Sequence, residues 1–116
     1  MGRIITNARR EQIRQARIDD PDALGPKLAE LALDGNVPIG AVAVLLAVSE
    51  PTIYRWMYAE SHPRDRDKIL KINRLLTVLR KAKRAKELPL EGTVAERTDK
   101  VAELVAKYRP APRATI

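Results

Sequence analysis

At 116 residues the chain has room for one domain of ordinary size with short tails. It contains no cysteine and a single histidine, His62 in a loop, which excludes a disulfide framework and a cysteine-based zinc site. A net charge of +7, with no apolar run near the length of a membrane span and no signal-peptide core in MGRIITNARREQ, points to the reducing cytoplasm and an anionic partner.

The first predicted element is a helix over about Thr6 to Ile18, capped by Thr6 or Asn7. Arg10, Arg14 and Arg17 recur at i, i+4 and i+7 as one basic stripe, either a phosphate-touching arm or a solvated face. Its apolar content is thin: Ile13, Ala16 and Ile18. IDDPDALGP is a turn, because the residue before a proline is driven out of the helical region. A second helix runs from about Asp22 or Pro26 to Leu33, with Leu24, Leu28, Leu31 and Ala32 as its core stripe. Gly35-Asn36 stops it. Residues 1–20 thus read as a basic helical arm ahead of a domain spanning residues 21–88.

GAVAVLLAVSEPTIYRW, residues 40–56, reads as helix, tight turn, helix. Val42, Ala43 and Leu46 mark one face of the first. Ser49 opens the second, its hydroxyl placed to accept the N–H of Thr52. Pro51 falls in the first turn, where its missing N–H costs nothing. Ile53, Trp56 and Met57 then point inward. The opposite face carries Pro51, Tyr54, Arg55 and Tyr58, with Glu50 and Thr52 at its margins. Three of the four aromatic residues fall within residues 54–58. Arg55 suits bidentate contact with guanine in the major groove. Tyr54 and Tyr58 suit phosphate hydrogen bonds or thymine methyls; alternatively both tyrosines pad a neighbouring helix and Arg55 is merely solvated.

In the window that begins at Ile39, a small residue stands at Ala43, aliphatics at Val48 and Ile53, and an indole at Trp56. That spacing resembles the helix-turn-helix of phage Cro- and repressor-type regulators, and of resolvase-type recombinases, over about residues 26–60. Ala47 departs from the pattern. Those families prefer Gly there, where φ is usually positive, and alanine costs on the order of 1 kcal/mol. Ala43, Leu46, Ala47, Val48, Ile53 and Trp56 form the core of the motif. The resemblance implies entry of the second helix into the major groove, and a dimer on a two-fold site.

SHPRDRD, residues 61–67, leads to a long helix over about Asp67 to Leu88, capped by Asp67. Ile69, Ile72, Leu76 and Leu79, widened by Leu75 and Val78, give the stripe that closes the core. The charge excess gathers here. Residues 61–88 carry ten basic and three acidic groups, net +7, against zero for residues 1–37, −1 for 38–60 and +1 for 89–116. In RKAKRAK, residues 80–86, five of seven positions are basic, more than a helix dipole needs at its C-terminal end. Only Ala82 and Ala85 remain for packing, so the helix leaves the core by about Leu79 to Ala82. The expected phosphate-binding residues are Ser49, Arg64, Arg66, Arg80, Lys81, Lys83, Arg84 and Lys86. The expected base-reading residues are Glu50, Pro51, Thr52, Tyr54, Arg55 and Tyr58.

LPLEG, residues 88–92, is a linker, and Thr93 with Glu96 forms a capping box for a last helix ending at Tyr108. Val94, Val101, Leu104, Val105 and Tyr108 share a face that either folds back on the core or pairs with a second chain, and self-association is the expected use. PAPRATI is expected to be a mobile tail.

The sequence has no Gly-rich phosphate loop, no acid–base–nucleophile spacing and no metal-ligand cluster. No enzyme, cofactor, metal site or small-molecule substrate is therefore expected. Strand signals are scarce. The expected fold is all-α, four to five helices around a central helix-turn-helix, with a long basic helix and a C-terminal amphipathic helix. The expected function is sequence-specific double-stranded DNA binding by a small phage-type transcriptional regulator, a cytoplasmic homodimer that acts by operator occupancy without a membrane. Two other readings stay open. One is a DNA-packaging or recombination accessory protein of the small-terminase kind. The other is a protein-interaction module whose aromatic face binds a polypeptide such as a polymerase subunit.

Overall fold

The computed structural model describes residues 5–108, which form six helices and no strand. They are α1 (Asn7–Asp19), α2 (Leu24–Asp34), α3 (Ile39–Leu46), α4 (Glu50–Met57), α5 (Arg66–Arg84) and α6 (Val94–Tyr108). The all-α class is as expected, but the count is six rather than four to five. Both terminal helices carry their own caps and form in full. Thr6 Oγ1 accepts the Arg9 N–H at 3.1 Å, and Thr93 Oγ1 accepts the Glu96 N–H at 3.1 Å. None of the described helices is long and apolar enough to cross a membrane. The tail expected at residues 109–116 lies outside the described residues.

The strut of the fold is α2. It packs against α1, α4 and α5, while α3 packs against α4 and α5, and α6 against α5. Leu28, Ala29 and Ala32 of α2 are completely buried, and the two alanines let neighbouring helices approach closely. The closest approach is at Gly25. A Cβ there would stand 1.9 Å from the carbonyl oxygen of Trp56, so α4 lies directly on the α2 backbone. Ile13 seats α1 in the same core, with Arg17 paired to Glu30 of α2 at 3.0 Å.

Four consecutive helices end in one way. Asn36, Ala47, Ala59 and Lys86 all have φ between 55° and 63°, in the left-handed region. In each case the next residue donates its N–H to the carbonyl five positions back: Val37 to Ala32, Val48 to Ala43, Glu60 to Arg55 and Glu87 to Ala82. The bond satisfies a helix-end carbonyl that would otherwise lack a partner. None of the four is glycine, the residue that adopts this conformation without steric cost.

That device corrects the expected limits of the long helix. Lys86 turns left-handed, so α5 stops at Arg84 rather than near Leu88. At the other end Asp65, not Asp67, is the cap, its Oδ1 accepting the Asp67 N–H at 2.9 Å. Ile72, Leu75, Leu76, Val78, Leu79 and Ala82 are buried, so the packed face extends through Ala82 and no further.

The linker and α6 are tied to the rest of the chain. The Leu90 N–H donates to Gly35 O at 2.8 Å, and Asn36 Nδ2 donates to Leu90 O at 3.0 Å. Arg97 reaches Asn36 O at 2.9 Å, and Lys107 Nζ meets Glu87 Oε1 at 2.6 Å. The hydrogen bond from Lys107, with Tyr108 alongside, holds Glu87 below the usual carboxylate range, and the same bond raises the Lys107 pKa. Val101 and Leu104 are buried within the chain. Within the stripe of α6, Val101 and Leu104 thus fold back against the chain's own core, Val105 and Tyr108 are half-buried, and Val94 stays exposed.

Gly25→Ala drives a methyl group into the Trp56 carbonyl. Urea unfolding of this variant is expected to show a loss of about 1–3 kcal/mol or more. An unchanged midpoint would mean that α2 and α4 can separate freely.

Candidate nucleic-acid interface

Three residues, Ala47, Val48 and Ser49, separate α3 from α4. Ala47 takes φ 55° and ψ 45°, the left-handed conformation expected at this position. Ser49 caps α4, its Oγ 3.4 Å from the Thr52 N–H and 2.9 Å from Thr52 Oγ1. Ala43, Leu46, Ile53 and Trp56 are buried and Val48 is half-buried, while Ala47 is exposed at the bend. A residue not foreseen from sequence braces this turn. Lys68 of α5 donates through Nζ to Leu46 O at 2.9 Å and Ala47 O at 3.3 Å, satisfying carbonyls at the end of α3.

The outward face of α4 is narrower than its sequence implies. Tyr54 and Tyr58 are 4% and 8% exposed, which corrects their expected outward placement. At 100° per residue they stand only about 100° and 140° from Ile53, on a flank rather than opposite it. α1 covers that flank. Arg9 lies over the Tyr58 ring at 4.2 Å, Gln12 Nε2 donates to Tyr58 O at 3.1 Å, and the two tyrosine rings stack at 6.0 Å. Glu50, Pro51 and Arg55 remain exposed and Thr52 half-exposed, so these four make the accessible arc.

The cations fall into two groups. Arg64 and Arg66 are exposed at the entry to α5, shortly before Lys68, which reaches the turn between α3 and α4. Arg80, Lys81, Lys83, Arg84 and Lys86 are exposed at the far end of α5. Arg66, Arg74, Arg80, Lys81 and Arg84 lie within an arc of about 120°, a basic ribbon about 27 Å long on the solvent side of α5. None of them joins an ion pair among the described residues. From Lys68 to Lys86 the chain has no acidic residue.

α4 and α5 make no extensive contact with each other; each packs against α2 and α3, and Lys68 ties the first turn of α5 to the turn that precedes α4. Three of the four arginines of α1 are engaged within the chain, Arg9 with Glu60 at 2.9 Å, Arg14 with Glu11 at 3.1 Å, and Arg17 with Glu30, while Arg10 is exposed and joins no ion pair among the described residues. His62 is exposed in the α4–α5 connection, and among the described residues no group of three or more metal-ligating side chains converges.

Comparison with known proteins gives no matching family model, no similar curated protein and no similar solved structure.

Ala47→Gly removes the steric cost of the left-handed turn. It is expected to raise stability by about 1 kcal/mol and the melting temperature by about 4–8 °C. A calorimetric scan that shows no gain would mean that the turn tolerates a β-carbon without strain.

Proposed function

We propose that this chain binds double-stranded DNA with sequence preference and acts as a small transcriptional regulator by occupying its site. One observation carries the reading: a three-residue turn with a left-handed first residue joins α3 to a Ser-capped α4, leaving Pro51, Thr52 and Arg55 outward. A capped helix of this kind, seated on a preceding helix, matches the way such regulators present a side-chain row to the major groove. Arg55 is the base reader, with Glu50, Pro51 and Thr52 beside it. Ser49, Arg64 and Arg66 serve the nearest phosphates. The ribbon on α5 adds sequence-independent attraction for a polyanion.

The resemblance to phage repressors brings with it a homodimer on a two-fold site. Val101 and Leu104 of α6 are buried within the chain, so a dimer contact through α6 would use its exposed residues, Val94 among them. The interaction-module reading loses its main support, because the aromatic face on which it relied is covered by α1.

Selection of bound sites from a random duplex library tests the proposal directly. A recovered consensus supports it, and a library that stays random after repeated rounds overturns it. On the selected site Arg55→Ala should lose about 1–3 kcal/mol and relax preference at one or two base pairs, with little change on random DNA. Equal losses on both, measured by fluorescence anisotropy, would remove Arg55 from base reading.

Neutralising Arg80, Lys81, Lys83 and Arg84 together should weaken binding to every sequence. The log–log salt dependence should flatten by about 0.9 for every phosphate that the protein no longer neutralises. Unchanged slope and affinity would show that the ribbon stays away from the duplex.

A further inference from the structure

An open cleft of about 220 Å³ lies beside the accessible arc of α4, lined by Arg9, Pro51, Tyr54, Arg55, Tyr58 and Glu60. It brings the first turn of α1 to α4 across 51 positions of sequence. Two guanidinium groups share it with a single carboxylate, that of Glu60, which leaves one positive charge uncompensated. Arg9 Nη1 donates to Glu60 Oε1 at 2.9 Å and to Gln12 Oε1 at 2.8 Å. Its guanidinium is held over the Tyr58 ring, 4.2 Å from the centroid. Gln12 is fixed in turn through its bond to Tyr58 O. The Arg9 and Glu60 side chains are 44% and 46% exposed, so solvent and ligands reach both.

A guanidinium locked in place by a ring face and a glutamine has little further freedom to lose when it meets an anion. Glu60 supplies one acceptor, and guanidinium has five donors in a fixed fork, so Arg9 keeps donors for a second partner. The cleft has room for several water molecules or for one phosphate group of similar bulk. We infer that this cleft binds a backbone phosphodiester, held by Arg9 beside the base-reading Arg55, and that Glu60 is its internal competitor. The inference rests on the DNA-binding reading for the source of the phosphate, and the cleft chemistry stands apart from it. Phosphate arriving on the α1 side of α4 takes Arg9 from Glu60, so affinity reflects the difference between two anions for one cation.

The test is a double-mutant cycle in the full chain, read on a random-sequence duplex by anisotropy across a salt series. Arg9→Gln should weaken binding and flatten the salt slope by about 0.9. Glu60→Gln keeps the shape of the side chain and removes the competitor. It should tighten binding by about two- to fivefold, the size of an exposed ion-pair contribution. That gain should vanish when Arg9 is also glutamine. A gain that persists without Arg9 would reduce Glu60 to a general electrostatic effect and overturn the competition. Glu60→Gln that weakens binding, alongside a lower melting temperature, would show that the pair only braces α1.

Titration with inorganic phosphate, followed at the arginine Nε–H resonances, decides the cleft independently. Selective shifts at Arg9, larger in Glu60→Gln, support it even if no duplex is bound, an outcome that would sink the DNA reading alone. Absence of selective shifts would overturn the phosphate site.

Discussion

The contact between Gly25 and Trp56 sets the geometry of everything on the α4 side of the molecule. Helix axes usually lie 8–10 Å apart, with side chains between them. Here the missing Cβ lets the carbonyl of Trp56 come down onto α2 itself. The tilt of α4 is then fixed by backbone against backbone, which no rotamer change can relax. Because Ile53, Trp56 and Met57 are buried in the same seat, the helix cannot roll either. Its outward arc is therefore a rigid feature, held on a secondary-structure element rather than on a loop, as precise recognition requires.

Much of the fold is legible locally. Thr6, Ser49 and Thr93 announce their helices because capping needs only a side-chain oxygen and an N–H three residues on. The stripe Ile72, Leu75, Leu76 and Leu79 fixes the inner face of α5 by spacing. Sequence and structure part where local rules admit two answers. Asp65 and Asp67 both satisfy the capping rule, and sequence does not choose between them. Lys86 ends α5 without the glycine that normally signals a stop, so nothing local marks the boundary. For α6, one apolar stripe serves folding back and pairing alike. The bonds from Asn36, Arg97 and Lys107 that tie it down join residues 20 to 61 positions apart.

The interface is half legible for the same reason. Arg55 and the Ser49 cap follow from helical spacing, and both lie where that spacing puts them. Tyr54 and Tyr58 do not, because their surroundings depend on α1, which reads in sequence as a separate arm. Arg9 and Lys68 carry no local signal at all. Each finds its role only when a helix distant in sequence supplies its partner, Tyr58 and Glu60 for one and the carbonyls of α3 for the other. Charge diverges in another way. Adjacency in sequence suggests that the basic run flanks α4, whereas α4 and α5 meet mainly through α2 and α3, which pack on both.

The density of cations on α5 also bears on how the helix holds together. Arg80 has like charges at Lys83 and Arg84, three and four positions on, and Lys81 has another at Arg84. On a helix such pairs are neighbours and repel by about 0.2–0.5 kcal/mol each. With no acidic residue between Lys68 and Lys86 to offset them, the last two turns rely on Val78, Leu79 and Ala82 against the core. Dissolved salt shortens the reach of that repulsion to about 8 Å at physiological strength. Ionic strength therefore acts on this surface in two opposite senses, loosening its hold on any polyanion while firming the helix that carries it.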